Sequence, residues 1–373
     1  RYGHRFGYEC NLSDRTNGLP LEEETIAEVF KTNGYRTAAI GKWHLGSRDE
    51  QHPNNRGFDL FYGMKAGGRD YFYNEKKSDR PGDERNLLLN DRQVKFEKYL
   101  TDAFSEKAVE FINESSQPFM MYLAYNAVHT PMQATDEDMA KFEGHPRQKL
   151  AAMTYALDRG VGTVIRGLKD SGKFDNTLIF FLSDNGGATT NQSSNYPLKG
   201  FKGNKFEGGH RVPYFVVWKN GIPAGKPYDG LVSSLDIFAT AIDAASISKT
   251  RNRLDGVSLL PYLKGKKGEP HKVLYWRKMD TRAIRSGDYK LIITHGVDSV
   301  LYNIRRDPEE MNNLINKEPD LYRKLAKKLA KWEKNECIEP SWLEEGWRKI
   351  TNRYHQQLMH NEIKTAQDLY KRK

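Results

Sequence analysis

Apolar positions along this chain alternate between two rhythms. Leu21, Ile26, Ala27, Val29 and Phe30 fall on one face of a predicted helix over Leu21 to Asn33, and Gly34 follows as a stop. The run Tyr35 to Ile40 then reads as a short strand. Thr101 to Asn113 repeats the helical rhythm, with Thr101 as the expected N-cap and Phe104, Ala108, Phe111 and Ile112 along one face. Pro118 to Ala124 is the next predicted strand. A long helix over Gln148 to Lys169 precedes strands at Thr177 to Leu182 and Tyr214 to Trp218. Each strand is a short continuous apolar run, the pattern of strands covered on both faces. Alternating helices and strands predict an α/β fold.

The texture changes after Leu263-Lys264-Gly265-Lys266-Lys267-Gly268. Val273 to Trp276, Ala283 to Arg285, Lys290 to Thr294 and Ser299 to Tyr302 read as a small antiparallel sheet, with Asp320 to Glu333 as a helix packed on it. A boundary near Gly265 therefore divides the chain into a large unit, 1–265, and a smaller α+β unit, 266–373, ending in a basic helical tail. The chain contains no internal repeat and no low-complexity tract.

With 373 residues, 29% of them charged and 38% hydrophobic, the chain has an ordinary soluble balance. No apolar run approaches the roughly 20 residues of a membrane helix. The net charge of +10 invites an anionic partner, but much of the excess lies in runs such as Arg323-Lys324, Lys327-Lys328 and Lys371-Arg372-Lys373, which read as a solvated helix face. No nucleic-acid motif accompanies them, so no nucleic-acid partner is expected. Cys10 and Cys337 are the only cysteines, which excludes a disulfide framework and a Cys-rich zinc site.

Three predicted strands end in residues of catalytic type. One runs into Gly41-Lys42-Trp43-His44, another into Asn126-Ala127-Val128-His129, and a third into Ser183-Asp184-Asn185-Gly186-Gly187. Ligands bind outside the carboxyl ends of strands in open α/β sheets, so the three clusters are expected to share one edge. Asp184 and Asn185 offer hard oxygen ligands of the kind Ca²⁺ or Mg²⁺ takes. A glycine-rich, lysine-rich segment follows at Lys199-Gly200-Phe201-Lys202-Gly203, leading to Glu207-Gly208-Gly209-His210-Arg211-Val212-Pro213. Two lysines and a divalent metal suit an anion, and two histidines can supply acid and base near neutral pH.

These residues resemble the formylglycine-dependent, arylsulfatase-like sulfatases of the alkaline phosphatase superfamily. Gly41-Lys42-Trp43-His44-Leu45-Gly46 is similar to the second sulfatase signature, and Ser183-Asp184-Asn185-Gly186 to the metal motif. Arg56-Gly57-Phe58-Asp59, Ala156 to Gly162, Glu207-Gly208-Gly209, Ser233-Ser234-Leu235-Asp236, Asp255 to Leu259 and Leu301-Tyr302-Asn303 extend the likeness almost to Leu314. The resemblance implies a large mixed sheet sandwiched between helices, with a smaller C-terminal antiparallel-sheet-plus-helix domain. It implies sulfuric ester hydrolysis, one Ca²⁺ on Asp184 and Asn185, and sulfate binding by Lys42 and Lys202. His44 would serve the formylglycine nucleophile, and His129, with Lys202, the leaving oxygen. A phosphate or phosphonate ester hydrolase of the same superfamily, or a non-catalytic sulfated-glycan binder, are the alternatives.

The chain departs from the family in one respect: it has no Cys-x-Pro-Ser-Arg or Ser-x-Pro-x-Arg nucleophile segment, and no N-terminal aspartate pair. Cys10-Asn11-Leu12-Ser13-Asp14-Arg15 and Cys337-Ile338-Glu339-Pro340-Ser341 have the wrong spacing. Arg1-Tyr2-Gly3-His4 is similar to the stretch that follows the nucleophile helix, so the expectation is a sequence beginning just after it and inactive by itself. A sulfated carbohydrate is the expected substrate, with Arg69, Tyr71, His210 and Arg277 as candidate contacts. The resemblance also implies a periplasmic or secreted protein.

Overall fold

The computed structural model describes residues 18–338 and 345–371. Cys10 to Arg15, Arg1 to His4, Glu339 to Ser341 and Arg372-Lys373 lie outside the described residues. The first helix is Ile26–Thr32, shorter than its apolar pattern, because Thr25 and Glu28 form a reciprocal capping box that fixes its start. Leu21 is therefore outside it and half exposed. Strand β1 (Arg36–Lys42) pairs in parallel with β2 (Leu60–Met64) and with β5 (Phe119–Ala124). The short strands β3 (Leu88–Leu89) and β4 (Arg92–Gln93) add an antiparallel border, giving the order β4-β3-β2-β1-β5.

Side chains on β1 alternate across this mixed sheet, as a period of two requires. Ala38 and Ile40 join Tyr62 and Met64 under the helices Leu100–Glu114 and Gln148–Asp170, while Ala39 joins Phe61 and Ala27 on the other face. The two helices approach closely at Gly160, where a Cβ would lie 2.6 Å from Ser105 Oγ. Arg159 ties them further through Asp102 and Asp138. Thr101 is not the N-cap: Leu100 starts the helix and Thr101 is buried in its first turn.

Strands β6 (Ile179–Leu182) and β7 (Tyr214–Val217) form a separate antiparallel ribbon. They are not covered on both faces. Phe181 is 39% exposed and Phe215 58%, and Tyr122 on β5 is 44% exposed. Among the described residues, β5 has β1 as its one strand neighbour and β6 has β7, which leaves those rings uncovered.

Beyond the positive-φ glycines Gly265 and Gly268, β8 (Val273–Lys278), β9 (Thr281–Ser286), β10 (Tyr289–Thr294) and β11 (Asp298–Asn303) build the expected antiparallel meander. One face packs Ile284, Leu291 and Leu301 on Leu325, Leu329 and Trp332 of the helix Pro319–Glu336. The other packs Ala283, Ile292 and Tyr302 on Phe201 and Phe206, and on Leu358 and Met359 of the helix Glu345–Met359.

Lys290 on β10 is fully buried between two carboxylates, 2.8 Å from Glu207 and 2.9 Å from Glu310. Glu310 also accepts the Glu207 backbone N–H at 2.6 Å. Burial pushes the Glu310 carboxyl up to about 7, whereas Lys290 and His210 offset burial at Glu207 and hold it at about 2. Lys290→Met would remove the one ammonium that both buried carboxylates contact, leaving only the Arg211 and Arg285 guanidiniums, 3.6 and 4.0 Å away, on the Glu207 side, at a cost of about 3–5 kcal/mol. Without the lysine the Glu310 carboxyl, already raised by burial, rises further, so the native state binds an extra proton there. The deficit should therefore be small at pH 4–5 and grow as pH rises through neutrality. Urea midpoints of both proteins across that range check this; a pH-independent deficit would contradict it.

Candidate active site

Register places the chemistry at one sheet edge. Gly41 pairs with Gly63 and with Ala124, so β1, β2 and β5 end together, and Lys42, Gly67-Gly68 and His129 follow within a few residues. His44 has φ +52°, a left-handed turn that redirects the chain just after Lys42. The Gly67-Gly68 backbone lies against both imidazoles. A Cβ at Gly67 would stand 2.6 Å from His44 Cε1, and one at Gly68 3.2 Å from His129 Nδ1. His129 Nδ1–H donates to the Thr130 carbonyl at 2.8 Å, which leaves Nε2 as the nitrogen free to exchange a proton.

The ribbon brings the second half. Gly186 N–H donates to the Gly209 carbonyl at 3.1 Å, and Lys202 N–H to the Gly187 carbonyl at 3.0 Å. Asn195 clips the two loops together. Its Oδ1 accepts from Gly187 N–H at 2.7 Å, and its Nδ2 donates to the carbonyls of Gly187 and Gly200. Asn191 Nδ2 reaches the Val128 carbonyl at 3.2 Å, linking the ribbon side to the His129 loop.

These groups lie close enough to shift one another's protonation. Burial, then Lys42, Lys202 and His129, push His44 down to about 4. Burial lowers His129 as well, with Lys202 and Lys42 adding to the effect and Asp184 opposing it. Lys42 is lowered by burial and by Lys202, again against Asp184. Both histidines are thus neutral near pH 7, beside two ammonium groups and one carboxylate. The structure brings together Lys42, His44, His129, Lys202 and Asp184.

Asp184 is exposed and has no hydrogen-bond or ion-pair partner among the described residues. Asn185 spends its Nδ2 on the Gly186 carbonyl, leaving Oδ1 available. A free carboxylate oxygen beside a free amide oxygen fits Ca²⁺, though as two of the six to eight ligands that ion takes. No group of three His, Cys, Asp or Glu side chains able to hold a metal exists among the described residues.

The four expected substrate contacts are corrected by their surroundings. The Arg69 side chain is fully buried and bidentate to Asp79 at 2.7 and 2.8 Å. Tyr71 is fully buried, its hydroxyl 2.7 Å from the Asn126 carbonyl and 2.9 Å from that of His129, so it braces the His129 loop from beneath. His210 stacks on Trp276, and its Nε2 accepts from Lys290 at 3.0 Å. Arg277 donates to the Ile338 carbonyl and faces Glu333, tying β8 to its helix. All four have their polar groups committed inside the protein. The residues the sequence did not single out are Asn195, whose partners are the nearby Gly187 and Gly200, and Lys290 and Glu310, whose partner Glu207 lies on a distant segment.

Residues 1–247 match the family described as Sulfatase, and residues 202–335 match N-sulphoglucosamine sulphohydrolase, C-terminal. An uncharacterized sulfatase of Escherichia coli, YdeN, is 37% identical over 73% of this chain and 52% of its own length. The N-acetylgalactosamine-6-sulfatase of Canis lupus familiaris is 31% identical over 73% of this chain and 55% of its own. The chain thus spans about half the length of these curated relatives. Its backbone is similar to the crystal structure of Ps i-CgsB in complex with k-i-k-neocarrahexaose, with a TM-score of 0.85 and 35% identity over 95% of this chain and 84% of that one. A phosphonate monoester hydrolase of Agrobacterium radiobacter, at 17% identity and a TM-score of 0.62, shares the fold. With the family matched over residues 1–247, more than half of the chain, the chain belongs to the sulfatases.

Proposed function

We propose that the protein containing this chain hydrolyses sulfate esters of sulfated carbohydrates, an alkyl sulfate and water giving an alcohol and inorganic sulfate. The observation that carries the reading is that Lys42, Lys202, His44 and His129 are close enough to act on one another electrostatically, with Asp184 close enough to act on Lys42 and His129. Ca²⁺ held by Asp184 and Asn185, with ligands beyond these two, would neutralise charge on a sulfate oxygen. Lys42 and Lys202 would bind the remaining sulfate oxygens and offset charge that moves onto them as the S–O bond breaks. His44, neutral at pH 7, would take a proton from the nucleophile. His129 would deliver one to the leaving oxygen through Nε2, since Nδ1 is held by Thr130. A bound sulfate counteracts the two lysines that depress the His129 pKa, and so favours its charged form.

The carbohydrate assignment is supported by the N-acetylgalactosamine-6-sulfatase relative and by the neocarrahexaose bound to Ps i-CgsB. Export to the periplasm or beyond belongs to the same proposal and rests on family membership. No helix among the described residues is long and apolar enough to cross a membrane. The two-unit division near Gly265 is likewise proposed, with Lys290, Glu207 and Glu310 joining the units.

The 373 residues contain no Cys-x-Pro-x-Arg or Ser-x-Pro-x-Arg segment, so the purified chain should not turn over an aryl sulfate. A protein that joins it to such a segment, together with an aspartate pair, should release sulfate faster than phosphate from matched aryl esters. Faster phosphate release would replace this reading with the phosphoesterase alternative.

Gly67→Ala should lower kcat in that protein by about 10²-fold, because the new methyl displaces His44 from its position. Thermal melting should change little in comparison. A wild-type rate with the alanine in place would remove His44 from the reaction.

A further inference from the structure

We infer that the outer face of the helix Pro319–Glu336 is a docking track for the polyanionic chain of a sulfated polysaccharide, separate from the candidate active site. The inference rests on the proposed sulfated-carbohydrate substrate.

Lys324, Lys327, Lys328, Lys331 and Lys334 are all exposed on this helix. At 3.6 residues per turn they fall within an arc of about 120° and extend over about 15 Å. The arc is opposite Leu325, Leu329 and Trp332, which bury the other side against β9, β10 and β11. None of the five lysines has an acidic partner among the described residues. Of the helix's three acids, Asp320 pairs with Arg323, Glu333 turns inward to Arg282 and Arg277, and Glu336 is the last residue of the helix.

A helix face that is merely solvated usually mixes signs, with Glu or Asp one turn from each Lys. Here the neighbours at i+3 and i+4 are cations again: Lys324 with Lys327 and Lys328, Lys327 with Lys331, Lys328 with Lys331, Lys331 with Lys334. Such like-charge pairs oppose the helix, and a polyanion laid along the face relieves them. Repeated sulfates on a polysaccharide supply negative charge at intervals along an extended chain, which matches a linear row of cations better than a single anion does.

Two other polyanionic partners fit this face less well. It carries no aromatic side chain on which bases could stack, as a single-stranded nucleic acid site requires. The helix has no apolar flank left to enter a lipid headgroup layer, because its apolar side is covered by the sheet. Location favours a polymer as well. The opposite face of the same sheet packs on Phe201 and Phe206, the residues flanking Lys202. Track and site are therefore on opposite sides of one sheet, and a small ester can occupy the site without touching the track.

The test compares the wild-type 373-residue chain with K324Q/K327Q/K328Q/K331Q/K334Q and with the matching five-arginine variant, using immobilised heparin as the sulfated probe. The glutamine variant should bind at least ~10-fold more weakly near physiological salt, and its slope of log affinity against log salt should shrink by about 3 to 4. The arginine variant should bind like wild type. Equal heparin binding by the glutamine variant would overturn the proposal, and so would binding to double-stranded DNA or to phosphatidylserine vesicles tighter than to heparin. Desulfated heparin should be bound weakly by all three proteins. Sulfate release by the nucleophile-bearing protein is scored separately, so a failure of the proposed chemistry is distinguishable from a failure of the track.

Discussion

The contact between Gly186 and the Gly208-Gly209 backbone is the constraint on which the site depends. A Cβ at Gly186 would stand 1.8 Å from the Gly208 carbonyl oxygen, so no other residue fits there without moving one of the two loops. Because the loops meet through backbone, Asp184 and Asn185 are held at a fixed distance from the Glu207 turn. The Lys202 N–H then closes on the Gly187 carbonyl. The backbone that carries the metal-type oxygens and the second lysine is thus set by main-chain hydrogen bonds, with the Asn195 side chain as a further clip.

That turn is fixed in its place from below. Glu207 carries the same Lys290 that Glu310 carries, and Lys199, also buried, donates to the Leu358 carbonyl as well as to the Glu310 carbonyl and Asn361. The C-terminal sheet and the helix Glu345–Met359 therefore serve as the floor of the loop that bears Lys202. A charge buried without a partner costs several kcal/mol, so each of these contacts is expensive to break singly, and the floor behaves as one unit.

Much of this was legible from the chain alone. Short continuous apolar runs and the 3.6-residue rhythm located β1, β5, the two long helices and the strands of the C-terminal meander, since those segments bury most of their apolar side chains. β2, β3, β4 and the helix Asp236–Ala244 were not separated out, being short or carrying glycine within the run. Lys42, His44, His129 and Asp184 were legible because their types follow strand ends, and Lys202 because it lies in a glycine- and lysine-rich loop. The partners of Arg69, Tyr71, His210 and Arg277 were not, because they depend on segments up to 80 residues away, as Lys290 and His210 are. An arginine or tyrosine in a loop looks the same in sequence whether it faces a ligand or, like Arg69, a buried aspartate. Several motifs of the family likewise turn out to serve the fold. Arg56 lies buried against Glu28, and Asp236 accepts from Ser233 N–H and Val257 N–H while facing His271.

The protein therefore contains two charge assemblies of opposite design, separated by a single turn of chain. Around Lys290 the cation is enclosed by carboxylates and desolvated, so the group is rigid and has nothing left to offer a ligand. Around Asp184 the balance is deliberately incomplete: two ammonium groups, one carboxylate and two neutral histidines, only half removed from water. Lys202 disfavours the charge on Lys42, and that repulsion falls when an anion lies between them. The first assembly supplies the stiffness that keeps the second from relaxing by moving its lysines apart. An anion, rather than a rearrangement of the loops, is then what completes the charge balance of the site.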